Sequence, residues 1–250
     1  MHRFFIRLAY NGTHYHGWQV QDNARTVQQV ITDAFRVIWK VEIKLLGCGR
    51  TDAGVHARDY YAHFELEEGR DMDELKDMAF RLNRYLDEDI VILEIFPVPS
   101  DLHARFSAKS RTYQYYLHTR KDPFLNEISW FVPQGIDLEK MNAGSEMLLG
   151  THDFTSFSKL HTDVKTNICT IIQANWEKSG HQLIFTITAD RFLRNMVRAI
   201  VGTLMDLGQG KITLEDYLRI IDGKNRSLAG ESVPAKGLFL TEIKYPFNTL

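Results

Sequence analysis

One short stretch of the chain, CGRTDAGVHAR at residues 48–58, places a carboxylate among small residues. Asp52 has glycines on both sides of it within a few residues, and these predict a turn rather than a helix. An ionised carboxylate can act as a nucleophile when a scaffold presents it to a substrate. The structural alternative is a turn aspartate that bonds to nearby backbone amides. The stretch follows an apolar segment, and this favours a side chain presented for chemistry.

A metal site is the first alternative for this region. Cys48, Asp52 and His56 are four residues apart and would share one face of a helix, but the glycines disfavour a helix here. His14 and His16 could bind zinc, although two histidines in a predicted loop are a weak signal. A metal-dependent hydrolase using Asp52, His56 and His14 therefore stays open. No serine has the sequence context of a nucleophile elbow.

The stretch RFLRNMVRAIVGTLMDLG, residues 191–208, could supply a partner for the carboxylate. Its apolar residues recur with helical spacing and predict a helix from about 191 to 207. Arg191, Arg194 and Arg198 would lie within about 60° of one another on the opposite side. A guanidinium held near Asp52 would favour the ionised carboxylate and orient it through two hydrogen bonds. For Arg191 we prefer a solvated polar face.

A third stretch, ARFSAKSRTYQYYL at residues 104–117, interleaves basic and aromatic residues. Aromatic faces stack on exposed bases and arginines hold phosphates, so the pattern is typical of RNA contacts. The alternative is a half-buried strand whose tyrosines belong to the core. Tyr113 and Tyr115 would share one face of such a strand, and we expect at least one aromatic to be core.

The composition, 44% hydrophobic and 25% charged, is that of a globular protein. Two cysteines, Cys48 and Cys169, make no disulfide framework, and a reduced compartment fits them best. The first residues lack the apolar core of a signal peptide, and no apolar run approaches the roughly 20 residues that cross a bilayer. We therefore expect a cytosolic, cytoplasmic protein.

The formal charge of −2 does not suggest a uniformly basic surface. The charges are nevertheless segregated, because residues 65–77 carry seven acids while residues 103–121 carry five basic residues and no acid. A neutral total can therefore hide a basic face. For any single run, an ordinary solvated surface is the alternative interpretation.

The order of elements indicates an α/β protein of the α+β kind. In the first half we expect strands near 3–10, 41–47, 59–66 and 90–96, and helices after Thr26 and near 72–84. The second half has a similar set of strands and helices. It includes a helix capped by Asp137, strands near 168–178 and 182–189, a helix capped by Thr213 and a last strand at GLFLTEIKY. Such elements suggest mainly antiparallel sheets covered by helices. The boundary is predicted near residue 105, which divides the chain into 1–105 and 106–250.

The motifs together resemble the tRNA pseudouridine synthase A family. GCGRTDAGVHA resembles the aspartate signature of that family, and LHARFSAKSRTYQYYL its tyrosine motif. YNGTHYHGWQVQ with TVQQVI looks like the family's opening, and three later blocks follow in the right order: GTHDFTSFSK, FLRNMVRAIVG and PAKGLFLTEIKY. The resemblance covers nearly the whole chain.

The resemblance implies roles for five residues. Asp52 would be the nucleophile, and Arg198 would pair with it. Tyr113 would stack on the target uracil and act as a base at its C5. Arg50 would help to draw the target nucleotide out of its stack, and Leu238 would line the pocket.

The resemblance also implies properties of the whole protein. It implies the pseudouridine synthase fold with two related halves, the first carrying the aspartate and the second the tyrosine and arginine. It implies a homodimer that contacts the anticodon stem-loop of tRNA through both subunits and modifies uridines at positions 38, 39 and 40. It implies no metal and no cofactor. A catalytically inert RNA-binding relative is a further alternative.

Two segments depart from the family pattern. Many members have a small residue and then glutamine after the His-Ala pair, whereas here Tyr60 stands in the glutamine's place. The segment RLNRYLDEDI stands where family members more usually have the sequence Asn-Ala-Leu-Leu-Pro. Both departures lie outside the catalytic residues, and they put local tRNA contacts in doubt rather than the reaction.

Overall fold

A computed structural model describes residues 1–133, 135–159 and 165–247 of the chain. These residues form two compact units. The first comprises Met1–Lys109 and the chain from Phe239 onward, and the second comprises Ser110–Leu238. The predicted C-terminal half, 106–250, includes residues 134, 160–164 and 248–250, which lie outside the described residues.

The first unit contains a mainly antiparallel sheet. Its elements are β1 (His2–Tyr10), α1 (Val27–Trp39), β2 (Leu46–Gly47), β3 (His56–Leu66), α2 (Met72–Tyr85), β4 (Ile90–Val98) and, from Phe239 onward, β10 (Leu238–Lys244). β1 pairs antiparallel with both β3 and β4, and β2 pairs antiparallel with β3. β10 runs parallel to β3, with Phe239 opposite His56.

Two capped helices cover this sheet. The Thr26 side chain accepts a hydrogen bond from the Gln29 backbone N–H and begins α1 as predicted. Asp71 begins α2 through a capping box with Glu74. The Phe35 ring of α1 packs on Phe64 of β3, with 5.0 Å between the centroids.

The second unit repeats this plan. Its elements are β5 (Ser110–His118), β6 (Trp130–Phe131), α3 (Leu138–Glu146), β7 (Gly150–Asp153), β8 (Ile168–Ser179), β9 (Gln182–Ala189), α4 (Met196–Gly208) and α5 (Leu214–Asp222). β9 pairs antiparallel with both β5 and β8, β7 pairs antiparallel with β8, and β6 runs parallel to β5.

Helix α4 is the core of the second unit. It is buried on nearly all sides and contacts α3 and α5, as an all-round apolar helix requires. Asp137 and Thr213 cap α3 and α5 as predicted. The predicted class, an α+β protein with mainly antiparallel sheets covered by helices, is confirmed.

The predicted strand at 41–47 is largely wrong. Only Leu46–Gly47 pairs with a neighbour, and residues 40–45 have no regular secondary structure. Ile43 and Leu45 are nevertheless buried. The alternation that suggested a strand is therefore satisfied by packing in an extended segment without a ladder.

Among the described residues, every helix is too short or too polar to cross a bilayer.

Candidate active site

Asp52 lies in a segment that we call the aspartate loop, residues 48–55, between β2 and β3. The segment is not helical, as its glycines predicted. Both of its ends continue into paired strands, so the sheet of the first unit fixes where the loop begins and ends. A side chain on such a loop can be positioned as well as one on a strand.

Hydrogen bonds fasten the loop backbone on both sides of Asp52. Cys48 N–H donates to the Tyr61 carbonyl at 2.8 Å, and the Gly49 carbonyl accepts from the Tyr60 hydroxyl at 2.5 Å. The Thr51 carbonyl accepts from Trp18 N–H at 3.3 Å. Beyond the aspartate, Val55 N–H closes a turn on the Asp52 carbonyl at 3.2 Å. The loop is therefore held in one shape before any substrate arrives.

The motif YNGTHYHGW of the first unit is explained by how closely it packs on the aspartate loop. A Cβ at Gly17 would lie 2.2 Å from the Thr51 carbonyl oxygen, and Gly17 has a φ of +85° that favours glycine. A Cβ at Gly12 would lie 2.0 Å from the Val55 carbonyl oxygen. Only glycine permits these approaches, so the two glycines of this motif shape the aspartate loop.

Three aromatic rings support the loop. Tyr60 stacks on Trp18 with 4.1 Å between centroids, and Tyr10 meets Tyr60 edge-on at 5.5 Å. The Tyr10 hydroxyl also lies 2.9 Å from Thr51 Oγ1. Tyr60, the residue that departs from the family pattern, is thus fully buried and holds the loop through Gly49.

The two loop residues with predicted roles are both accessible. The Asp52 residue is half-buried and Arg50 is exposed. The bonds described above fix the path of the loop backbone, and this path sets the positions from which the carboxylate and the guanidinium extend. This is the arrangement that a presented nucleophile and a substrate-contacting arginine require.

His56 is poorly placed to bind a metal ion, because it is buried and already has partners. His56 is 1% exposed, its Nδ1 accepts a hydrogen bond from Gly12 N–H at 3.1 Å, and its ring stacks on Phe239 at 4.4 Å. Cys48 is buried as well. Within the parts of the chain that the structure describes, no three His, Cys, Asp or Glu side chains are grouped to hold a metal ion.

Tyr113 lies in the middle of β5 in the second unit, opposite Ile187 of β9. It is half-buried, and its ring meets Phe192 edge-on at 5.2 Å. This contact fixes the ring plane while part of the residue stays accessible. A fixed aromatic wall is what a stacked base needs.

Tyr115 is the core residue that strand alternation predicted. It is fully buried, and its hydroxyl donates to the Pro234 carbonyl at 2.9 Å. Burial raises the pKa of the Tyr115 hydroxyl, and nearby Arg198 opposes that change. Tyr113 and Tyr115 share one face of β5. Tyr113 therefore lies on the same face as Tyr115, whose pKa Arg198 affects.

Arg198 is half-buried in the first turn of α4. Its Nε donates to the Val233 carbonyl at 2.7 Å, and Val233 N–H returns a bond to the Arg198 carbonyl at 3.3 Å. The segment Val233–Pro234 therefore holds both Arg198 and Tyr115. Sequence patterns missed this support because a main-chain carbonyl has no residue-type signature.

The predicted helical face of three arginines is wrong. α4 begins at Met196, so Arg191 and Arg194 precede it, and only Arg198 lies in the helix. Asn195 adopts a left-handed conformation with φ of 65°, and its side chain bonds to the Ser232 hydroxyl. That conformation ends the helical path, although the apolar spacing runs through it.

Leu238 begins β10 and is buried. The preceding Gly237 packs against the tyrosine strand, because its Cβ would lie 2.7 Å from the Tyr116 carbonyl oxygen. Within the second unit, Gly237 is thereby placed against β5. Tyr113, Arg198 and Leu238 belong to the second unit, and Asp52 and Arg50 belong to the first. Their assembly into one pocket stays a prediction.

Comparison with known proteins gives the family. A model of the tRNA pseudouridine synthase family matches residues 7–107 and 145–246. A protein of Parabacteroides distasonis is 50% identical over 98% of this chain and 97% of its own length. A protein of Porphyromonas gingivalis is 50% identical over 98% of both chains, and one of Bacteroides fragilis is 48% identical over 98% of this chain and 96% of its own. All three are named tRNA pseudouridine synthase A.

Among solved structures, the chain has a weak likeness to one described as a Cbf5-Nop10-Gar1 complex. That likeness has 12% identity and a TM-score of 0.36, and it covers 80% of this chain and 54% of the other. The matches to the family model and to the full-length relatives confirm the resemblance drawn from the motifs. The chain belongs to the tRNA pseudouridine synthase family, a family of isomerases that convert uridine to pseudouridine.

Proposed function

We propose that this protein isomerises uridine to pseudouridine at positions 38, 39 and 40 in the anticodon stem-loop of tRNA. The observation that carries the proposal is the 50% identity, over 98% of the chain, to a relative named tRNA pseudouridine synthase A. The anchored aspartate loop supports it, because a presented carboxylate is the group that the reaction needs.

The reaction breaks the bond between uracil N1 and the sugar C1′ and forms a bond between uracil C5 and C1′. C5 loses a proton and N1 gains one, so substrate and product have the same atoms. No electron or phosphoryl group is transferred, and we therefore propose that no cofactor and no metal take part.

We propose that Asp52 is the nucleophile and that Arg198 pairs with it. Asp52 either attacks C1′ or assists by proton transfer, and both routes begin from the ionised carboxylate. An arginine would favour that ionised form and orient it. The bond from Arg198 Nε to the Val233 carbonyl supports this role, because it fixes the direction of the guanidinium.

We propose that Tyr113 stacks on the target uracil and removes the C5 proton. Its edge-on contact with Phe192 supports a fixed ring plane. The detached base must stay in place while it turns, and an aromatic wall in a closed, mostly apolar pocket holds it there and limits access of water. Leu238 would line that pocket.

We propose that Arg50 helps to draw the target nucleotide out of its stack. Extrusion of a base costs a few kcal/mol, and basic contacts with phosphates would offset that cost. Such contacts make binding dependent on salt. The exposure of Arg50 at the aspartate loop supports this role.

We also propose a division of labour along the chain. Residues 1–105 would carry the aspartate, and residues 106–250 would carry the tyrosine and arginine. Because the net charge is near neutral, basic residues must be gathered along a groove to bind RNA. A cytoplasmic homodimer that contacts one tRNA with both subunits would provide a long groove of this kind.

The test is to map pseudouridine in bulk tRNA from cells that lack this activity, after incubation with purified protein and EDTA. We expect pseudouridine at positions 38, 39 and 40 and nowhere else, at a rate that EDTA does not change. Modification at other positions would correct the substrate assignment, and loss of activity in EDTA that Zn²⁺ restores would favour the hydrolase-like metal site. The protein's mass in solution would test the homodimer.

A further inference from the structure

An exposed phenylalanine in the first unit has no role in the reaction proposed above. Phe106 is 76% exposed in a turn that we call the Phe106 turn, residues 102–107. Leaving a phenylalanine side chain in water gives up about 1.5–3 kcal/mol that burial would contribute. A single exposed apolar residue is ordinary on a surface, so the question is whether its setting has other features of a binding site.

The turn is rigid, and this is the first such feature. Ser107 N–H donates to the His103 carbonyl at 2.9 Å, and His103 N–H donates to Ser107 Oγ at 2.9 Å. His103 Nδ1 also accepts the backbone N–H groups of Arg105 and Phe106, at 3.0 and 3.4 Å. The backbone that carries the Phe106 ring is therefore fixed from within the turn.

The turn is also fastened to the sheet beneath it. Ala104 is fully buried, its N–H donates to His63 Nδ1 at 3.2 Å, and its carbonyl accepts from the Tyr245 hydroxyl at 2.6 Å. The Leu102 carbonyl accepts from Arg3 Nη1 at 2.8 Å. A ring presented on so rigid a base loses little conformational entropy when it binds a ligand.

The charge around the ring selects the kind of ligand. The Arg105 guanidinium lies over the Phe106 ring, 5.6 Å from its centroid, and the His103 ring lies 4.4 Å away. Residues 102–109 include Lys109 and no acid. An aromatic face beside a cation fits a nucleobase and its phosphate, since a base stacks on the ring while the cation meets the negative charge.

Phe80 provides an internal comparison within the same unit. It is 60% exposed on α2, and the Arg84 guanidinium lies 6.0 Å from its ring centroid. Its helix begins within residues 65–77, which carry seven acids. Phe80 is therefore a matched control, because it is an exposed phenylalanine beside an arginine that stands on a helix and outside the Phe106 turn.

We propose that Phe106 stacks on an unpaired base of the tRNA and that Arg105 contacts an adjacent phosphate. This site deepens the proposed function and rests on it for the identity of the RNA. It is a binding site apart from the uracil-stacking role given to Tyr113. Stacking does not depend on base identity, because every base has a π face, so the site would add affinity without sequence preference.

The test measures the Kd of an unmodified tRNA transcript for four proteins: the wild type, Phe106→Ala, Phe106→Trp and Phe80→Ala. We expect Phe106→Ala to raise the Kd about 5- to 100-fold, the range expected for loss of one base stack. Phe106→Trp restores the affinity because it restores a ring. Phe80→Ala binds as the wild type does.

A fully paired RNA helix of the same length separates stacking from charge. It offers no unpaired base, so Phe106→Ala leaves its Kd unchanged. Arg105→Ala weakens binding to both RNAs and lowers the slope of log Kd against log salt by about one, because one phosphate contact is lost. Melting temperatures within about 2 °C of the wild type exclude unfolding as the cause.

The proposal is overturned if Phe106→Ala binds the tRNA within twofold of the wild type, or if Phe80→Ala loses as much affinity. It is also overturned if the loss is equal for the paired helix. Pseudouridine formation by the wild type is followed in parallel. Failure of that reaction contradicts the proposed function, whereas failure of the stacking site leaves the reaction intact and removes only the role of Phe106.

Discussion

Two tyrosines of one strand illustrate how environment divides identical side chains between structure and chemistry. Tyr115 is fully buried, and its hydroxyl donates a hydrogen bond to the Pro234 carbonyl. Tyr113, two residues away on the same face, is half-buried and packs edge-on against Phe192. A buried hydroxyl with a raised pKa and a hydrogen bond to a carbonyl is poorly suited to proton exchange, and we therefore propose Tyr113 rather than Tyr115 for the base role.

Tyr113→Phe tests that division. The variant keeps the ring that stacks but cannot exchange a proton. We expect its turnover of tRNA to fall at least about 100-fold, in line with the contribution of general acid–base catalysis, while its Kd for tRNA stays within about twofold. Single-turnover rates and filter binding measure the two quantities.

Tyr115→Phe is the matched control for this prediction. It removes one buried hydrogen bond, so we expect a loss of about 1 kcal/mol in the free energy of unfolding and retention of most turnover. Normal turnover by Tyr113→Phe would remove the base role, although the stacking role would survive.

At the scale of elements, the aspartate loop depends on glycines elsewhere in the chain. Gly17→Ala would put a Cβ 2.2 Å from the Thr51 carbonyl oxygen at a φ of +85°. We expect this substitution to lower the free energy of unfolding by about 2 kcal/mol or more and to reduce turnover, because the neighbour of Asp52 must move. Urea unfolding measures the stability.

Gly49→Ala provides the comparison within the loop itself. A Cβ at Gly49 would have nothing within 4 Å, so we expect a change below about 1 kcal/mol. Equal losses from the two alanine variants would show that the close packing on Thr51 is not what fixes the loop.

His63, which accepts a hydrogen bond from Ala104 of the Phe106 turn, makes the stability of the protein depend on pH. Burial, with nearby His103 and Arg3 adding to it, lowers the pKa of His63 to about 4. The unfolded chain takes up a proton near pH 6.5, which the folded protein resists until about pH 4. We therefore expect the free energy of unfolding to fall as pH decreases from 6.5 to 4, by up to about 3 kcal/mol from this group.

Urea unfolding of the wild type and His63→Gln across that pH range checks this prediction. The variant lacks the titrating ring, so its stability should fall less over the same range, even though it is less stable at neutral pH. Parallel pH profiles for the two proteins would contradict the assignment of the effect to His63.

At the scale of the whole molecule, residue patterns predict which helices and strands exist better than they predict where each one begins. Thr26, Asp137 and Thr213 were identified as helix caps because capping has a local sequence signature. The first turn of the helix at 191–207 was wrong, because the left-handed Asn195 interrupts an apolar spacing that continues past it. Local spacing carries no information about one backbone angle.

The candidate site was predictable to the extent that its parts are side chains. Asp52, Tyr113 and Arg198 stand in motifs whose residue types indicate chemistry. The supports that hold the aspartate loop and Arg198 are backbone carbonyls at Gly49, Thr51 and Val233, which no residue type predicts. The tight packing of Gly17 on Thr51 likewise depends on a fold that brings distant segments together.

The most direct test of the central claim is pseudouridine formation by Asp52→Asn in unmodified tRNA, with Asp52→Ala beside it to exclude deamidation of the asparagine. Asparagine keeps the size of the side chain and one accepting oxygen but removes the nucleophilic charge. We expect both variants to bind tRNA within about threefold of the wild type and to form no detectable pseudouridine. Turnover by either variant at more than about one per cent of the wild-type rate would contradict the role of Asp52 as nucleophile.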